Sequence, residues 1–97
     1  MSQELPSTIH LRVFFPTHQA IDENVQEVFI PCTEGYLGIL PGHRPLMIML
    51  GEGLVSYHAG NRKKEISVSG GYAEILPDSV LVFTKPGEDS EERIHER

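Results

Sequence analysis

Residues Glu34–Leu46 read E-G-Y-L-G-I-L-P-G-H-R-P-L, and this stretch sets the frame for the rest of the chain. Gly35 and Gly38 punctuate an apolar run. Pro41-Gly42 then turns the chain sharply and delivers His43 and Arg44 before Pro45 restarts an extended segment. Proline presets φ for the first corner position of a turn, and glycine accepts the positive φ that a type II turn needs next. Pro45 pushes Arg44 toward extended geometry. The predicted product is a stiff corner carrying one positive charge and one titratable ring. Local chemistry leaves two readings open: a contact surface mounted on a β scaffold, or a well-made turn that only joins two strands.

Working outward from the corner, both flanks read as β-structure. Ile9, Leu11, Val13 and Phe15 alternate with His10, Arg12 and Phe14, the period of a half-buried strand, and Pro16 stops it. Phe14 falls on the outward face, which suits a second sheet or a partner. Residues 1–8, polar and with a proline at position 6, are expected to form a loose arm. Val25–Ile30 reads as a strand with Val28 and Ile30 on one face and Phe29 on the other, and Leu37–Leu40 follows Gly35. Leu46–Leu50 is apolar on both faces, as in a strand covered on both sides. Its methionines suit an irregular gap or an adaptable interface. A helix there is cut off by Gly51 and Gly53.

Leu54–Ala59 and Lys64–Ser69 flank Gly60-Asn61-Arg62, a hairpin with turn residues in place. Gly70-Gly71 marks a bulge or a close backbone approach. Tyr72–Leu76 and Val80–Thr84 flank Pro77-Asp78-Ser79. The expected fold is all-β: an antiparallel sandwich or flattened barrel of about eight to ten short strands over residues 9–84. From Lys85 the composition changes. Pro86 and Gly87 are expected to end the sheet, and residues 85–97 form a charged tail. Asp89 or Ser90 could cap a helix with Glu91 and Glu92 favouring its dipole. So short a helix cannot sustain itself, and the tail is expected to fray.

At 97 residues the chain makes one domain. Its 14 acidic against 8 basic residues disfavour a phosphate backbone, so nucleic acid is not an expected partner. The basic cluster Arg62-Lys63-Lys64 reads as a solvated turn. The single cysteine, Cys32, excludes an intrachain disulfide and is expected to be a buried, inert thiol. Neither a secretory signal nor an apolar run of about 20 residues is apparent, so the chain reads as soluble, without membrane insertion. The five histidines, His10, His18, His43, His58 and His95, lack metal-ligand spacing. No phosphate loop or nucleophile pattern occurs. No catalytic, cofactor-binding or metal-binding residue is assigned. Glu74 is the one carboxylate of note; on an alternating strand it either points outward or is held by a buried partner.

G-Y-L-G-I-L-P-G-H-R-P-L resembles the G-x-L-G-I-x-P-G-H-x-P-L signature of the epsilon subunit of F-type ATP synthases. Val68-Ser69-Gly70-Gly71-Tyr72-Ala73-Glu74-Ile75 resembles that family's V-x-G-G-[FY]-x-E-V segment. Ile9–Val13 fits its first strand, and Gly53 falls where the family has a glycine. The resemblance runs from Ile9 to Thr84. It implies a non-catalytic β-sandwich at the foot of a rotating central stalk, locking the gamma subunit to the membrane c-ring. The implied location is the cytoplasmic face of a bacterial inner membrane or the stromal face of a thylakoid. By this resemblance the turn Gly35, Tyr36, Leu37 faces the c-ring loops, and Pro41, Gly42, His43, Arg44 and Pro45 lie near the gamma or c-ring interface. Two departures stand out. Several members carry an acidic residue where this chain has Tyr36, so ring packing and one hydroxyl replace a charge contact. Members commonly continue into a two-helix hairpin, whose opening Asp89–Arg93 resembles before the chain stops; inhibition and ATP sensing are therefore not expected of it.

Two other readings stand beside this one. A small-ligand or hydrolytic β-sandwich would use His43, Arg44 and Glu74 as a convergent polar site and needs them within hydrogen-bonding reach. A free-standing scaffold domain would have no affinity for gamma.

Overall fold

A computed structural model describes residues 6–87 and the backbone of residues 95–96. Among the described residues ten strands form two five-stranded sheets. The first sheet has the order β2 (Gln19–Val25), β1 (Ile9–Phe14), β9 (Ser79–Phe83), β8 (Tyr72–Leu76), β5 (Leu46–Met49). The second has the order β10 (His95–Glu96), β7 (Arg62–Ser69), β6 (Glu52–Ala59), β3 (Glu27–Cys32), β4 (Gly35–Ile39). The all-β sandwich expected from the alternation is the fold observed.

Alternation decides what lies between the sheets. Ile9, Leu11 and Val13 of β1, Val80 and Val82 of β9, and Ala73 and Ile75 of β8 turn inward from the first sheet. Val28, Ile30, Ile39, Val55, Tyr57, Ile66 and Val68 meet them from the second. Each fully buried aliphatic side chain contributes about 1.5–3 kcal/mol, which a domain this small needs against the entropy of ordering its backbone.

Several expectations are corrected. β2 was not foreseen: Q-A-I-D-E-N-V is mostly polar, and only Ile21 and Val25 enter the core. Val25 therefore closes β2, and β3 begins at Glu27. The pairing is not purely antiparallel, because β1 and β9 run side by side in parallel, with His10 opposite Ser79 and Phe14 opposite Phe83. β5 is not covered on both sides. It is an edge strand with Met47 63% and Met49 67% exposed. Gly35–Leu37 is not a turn but the opening of β4; the turn is Thr33-Glu34, and Gly35 follows it at φ +124°.

The glycine pairs behave as expected. Gly60-Asn61 is a two-residue loop between Ala59 and Arg62 with Gly60 at φ +67°. Gly70-Gly71, both at positive φ, carries the chain from the second sheet to the first. A side chain on Gly71 would collide with the Phe83 carbonyl, so the pair marks a close backbone approach.

Lys85–Gly87 does not end the pairing. Ser69 N donates to Lys85 O (2.9 Å), Gly87 N donates to Ser67 O (3.1 Å), and Pro86 bridges Val68 on the outer edge of β7. β10 covers the same edge further along, opposite Lys64 and Glu65. Residues 1–5 of the arm predicted at 1–8, and the helix start at Asp89–Arg93, lie outside the described residues.

Candidate partner-binding surfaces

The corner Leu40–Pro45 carries the chain from the edge of the second sheet to the edge of the first, β4 to β5. His43 N donates to Leu40 O (3.2 Å) with Gly42 at φ +88°, the type II turn that Pro-Gly favours. Gly42 N donates to Pro77 O (2.8 Å), and the next residue of that turn, Asp78, accepts from His10 N (2.9 Å). Corner, β8–β9 turn and the start of β1 are thereby tied together. His43 Nδ1 donates to Arg44 O (2.7 Å), which fixes the ring against the corner's own backbone. Pro41, Gly42 and His43 are half-buried, and Arg44 and Pro45 are exposed.

Tyr36 lies at the other end of β4. β3 pairs with β6 only through Glu27, Val28 and Phe29, and beyond them the two strands part around Pro31. The Tyr36 hydroxyl fills that gap and accepts from Leu54 N (3.1 Å). Gly53 leaves room for it, since a Cβ there would sit 2.5 Å from the hydroxyl. The Tyr36 side chain remains 60% exposed, while Leu37 packs partly against the core. The sequence-assigned residues thus form two separate places, divided by about 13 Å of strand between Tyr36 and Leu40.

Glu74 points outward from β8, half-buried, between Met47 of β5 and Leu81 of β9. Among the described residues no hydrogen bond or ion pair joins it to His43 or Arg44. The convergent polar site that a hydrolytic reading requires is not assembled. Cys32 is half-buried rather than buried, and burial pushes its thiol pKa up, against thiolate chemistry. Lys64 of the basic cluster is not merely solvated: its Nζ donates to Glu23 Oε1 (3.0 Å), a tie between the two sheets. Among the described residues no group of three or more His, Cys, Asp or Glu is placed to hold a metal ion.

A contiguous apolar surface was not read from the sequence. On the outer face of the first sheet Phe14, Phe83, Tyr72 and Met49 stand opposite one another on β1, β9, β8 and β5. Phe14 and Phe83 stack at 5.1 Å and 12°, and Phe83 and Tyr72 at 5.0 Å and 25°. Met49, Tyr72 and Phe83 remain substantially exposed, and Met47 widens the row along the β5 edge. Hollows flank Tyr72 on either side. Outward Phe14 and the methionines were separate hints; their alignment needs the parallel β1–β9 register, which joins the two ends of the chain. Exposed apolar patches of this kind mark interaction sites.

Among the described residues no helix is long and apolar enough to cross a membrane.

Comparison with known proteins identifies the family. The chain is 44% identical over 88 residues to an ATP synthase epsilon chain of Solibacter usitatus, covering 91% of this chain and 66% of that one. It is 39% identical over 82 residues to the epsilon chain of Alkalihalophilus pseudofirmus, covering 84% and 62%. The chain thus spans just under two thirds of the length of these relatives. In fold it is similar to a chain of the Euglena gracilis mitochondrial ATP synthase (OSCP/F1/c-ring, rotational state 1). That likeness has a TM-score of 0.80 and 22% identity, and covers 99% of this chain and 57% of the other. The family model described as "ATP synthase, Delta/Epsilon chain, beta-sandwich domain" matches residues 8–89. With strands β1 to β9, the Pro-Gly corner and the glycine crossover all inside that match, the chain belongs to the ATP synthase delta/epsilon β-sandwich family.

Proposed function

We propose that this chain is the β-sandwich part of an epsilon-type central-stalk subunit, without catalysis of its own, that couples the gamma subunit to the c-ring of a proton-translocating ATP synthase. Family membership over residues 8–89 is the observation that carries this reading. The physical design agrees with it. Torque passes through an element only if the element does not yield; backbone hydrogen bonds tie the corner to the β8–β9 turn and close it on itself, and the His43 ring adds a side-chain bond to Arg44 O. Docking needs an apolar, water-excluding surface, and the Phe14–Phe83–Tyr72–Met49 row supplies one.

In this reading the aromatic row lies against gamma. Gly35, Tyr36 and Leu37 at one end of β4 face the c-ring loops, and Pro41, Gly42, His43, Arg44 and Pro45 at the other end lie near the gamma or c-ring interface. The protein then sits peripherally, on the cytoplasmic face of a bacterial inner membrane or its stromal counterpart. The test is association of the purified chain with a gamma subunit, followed by rebuilding of an epsilon-depleted ATP synthase. Gly42→Val is expected to weaken assembly more than His58→Ala, because His58 stands half-exposed on β6, away from the corner. Equal effects, or no association of the wild-type chain, would sink the assignment.

A further inference from the structure

Glu74 is the residue that the fold and the proposed function leave unexplained. It occupies the outer face of the first sheet, in the next same-face pair along from the aromatic row: Met49 faces Tyr72, and, two residues along, Met47 faces Glu74. On its other side stands Leu81. Among the described residues its carboxylate makes no hydrogen bond and no ion pair. On the same face His10 pairs with Asp22, while the buried Arg12 Nε has no hydrogen-bond partner among the described residues. Arg12, in the same cross-strand row, stands on the far side of Leu81 and of β9. Two strand spacings, about 9–10 Å, separate the Arg12 and Glu74 backbones, so Leu81 stands between the two charges.

A half-buried carboxylate flanked by Met47 and Leu81 becomes costly when a partner covers it. Desolvating an unpaired charge works against association, and a cation placed opposite reverses that sign. We infer that Glu74 is the charge anchor of the docking face: it pairs with a Lys or Arg side chain that the gamma subunit presents within an otherwise apolar surface. This rests on the proposed function. The charge argues against a second copy as the occupant. Each copy brings its own Glu74 and a net charge of −6, so a symmetric contact through this face sets like charges together. The pair would fix the register of an apolar contact that could otherwise slide along the row, the specificity role that charges play at interfaces.

The experiment measures affinity of the full chain for purified gamma subunit at low and high salt. It uses wild type, Glu74→Gln, Glu74→Met and Tyr72→Ala, each first checked for an unchanged melting transition. The inference expects Glu74→Gln to weaken binding by about tenfold and to flatten the salt dependence, because the screened pair is gone. Glu74→Met is expected to weaken it as well, although it enlarges the apolar surface. Tighter binding by Glu74→Met, or an unchanged affinity and salt slope in Glu74→Gln, overturns the anchor. So does dimerisation of the chain alone through this face, seen by sedimentation. If Tyr72→Ala binds as wild type does, the docking face itself is wrong. If Tyr72→Ala fails to bind and Glu74→Gln binds normally, the face stands and only the anchor falls.

Discussion

Individual residues in this protein matter most where the backbone leaves ordinary space. Gly42 at φ +88° sits in a turn whose amide is already committed to Pro77 O. A β-branched residue there must either strain or break that tie. Gly42→Val is expected to lower unfolding free energy by about 1–3 kcal/mol in urea titrations, with the sheets retained by circular dichroism. A second residue-scale effect is electrostatic. His10 donates to Asp22, Gln19 adds a second hydrogen bond, and nearby His10 and Arg12 charges contribute, so the Asp22 carboxyl is held below its ordinary pKa of 3.8. A depressed folded pKa means that the stabilisation is complete above 3.8 and is lost as pH falls below it. Asp22→Asn should therefore be less stable than wild type near neutrality, with the gap closing under acid. A gap that persists unchanged at low pH would assign the effect to packing instead. The contrast between Tyr36 and its neighbours belongs here too. Its hydroxyl was expected to serve a partner, and the structure has it accepting from Leu54 N, a role that exists only because Pro31 parts β3 from β6.

At the scale of elements, the sandwich is asymmetric along its edges. β2 carries Asp22 and Glu23, and the outer edge of β7 is covered by Lys85–Gly87 and β10. β4 (G-Y-L-G-I) and β5 (L-M-I-M) carry no charge at all. Charges and covering segments are the usual protection of an exposed edge against stray pairing. Their lack on the side where the corner lies, next to the aromatic row, fits a side that is covered in an assembly. Met49→Lys adds a charge to that edge without touching the core. It is expected to leave stability within about 0.5 kcal/mol of wild type, since it is a surface change. Affinity for gamma should fall by about tenfold or more if the row is a hot spot, which titration calorimetry would read. A drop in melting temperature with unchanged affinity would mean that the row serves the fold.

For the molecule as a whole, connection lengths set behaviour. β1 pairs with β9, so the first sheet closes only when strands from opposite ends of the chain meet. Non-local pairing of this kind slows folding, and refolding is expected in the millisecond-to-second range of β-sandwiches, followed by stopped-flow tyrosine fluorescence because the chain has no tryptophan. A microsecond phase accounting for full recovery would contradict that topology. Binding to the folded form adds stability by mass action. If gamma is the partner, as proposed, then at about one hundred times its dissociation constant it is expected to add about 2.7 kcal/mol. For a domain of this size that is a rise of about 10–20 °C in the melting temperature.

How much of this was legible in the chain follows from the range of each interaction. The strands around Ile9–Phe15 and Val80–Thr84, the Gly60-Asn61 hairpin and the Pro41-Gly42 turn depend on residues a few positions apart, so alternation and turn chemistry alone determined them. β2 escaped because its register on β1, not its own composition, makes Q-A-I-D-E-N-V a strand. The apolar row, the edge position of β5 and the unpaired state of Glu74 were decided only by tertiary structure. Each is a relation among strands distant in sequence, and hydrogen-bond register across a folded sheet is what brings them together.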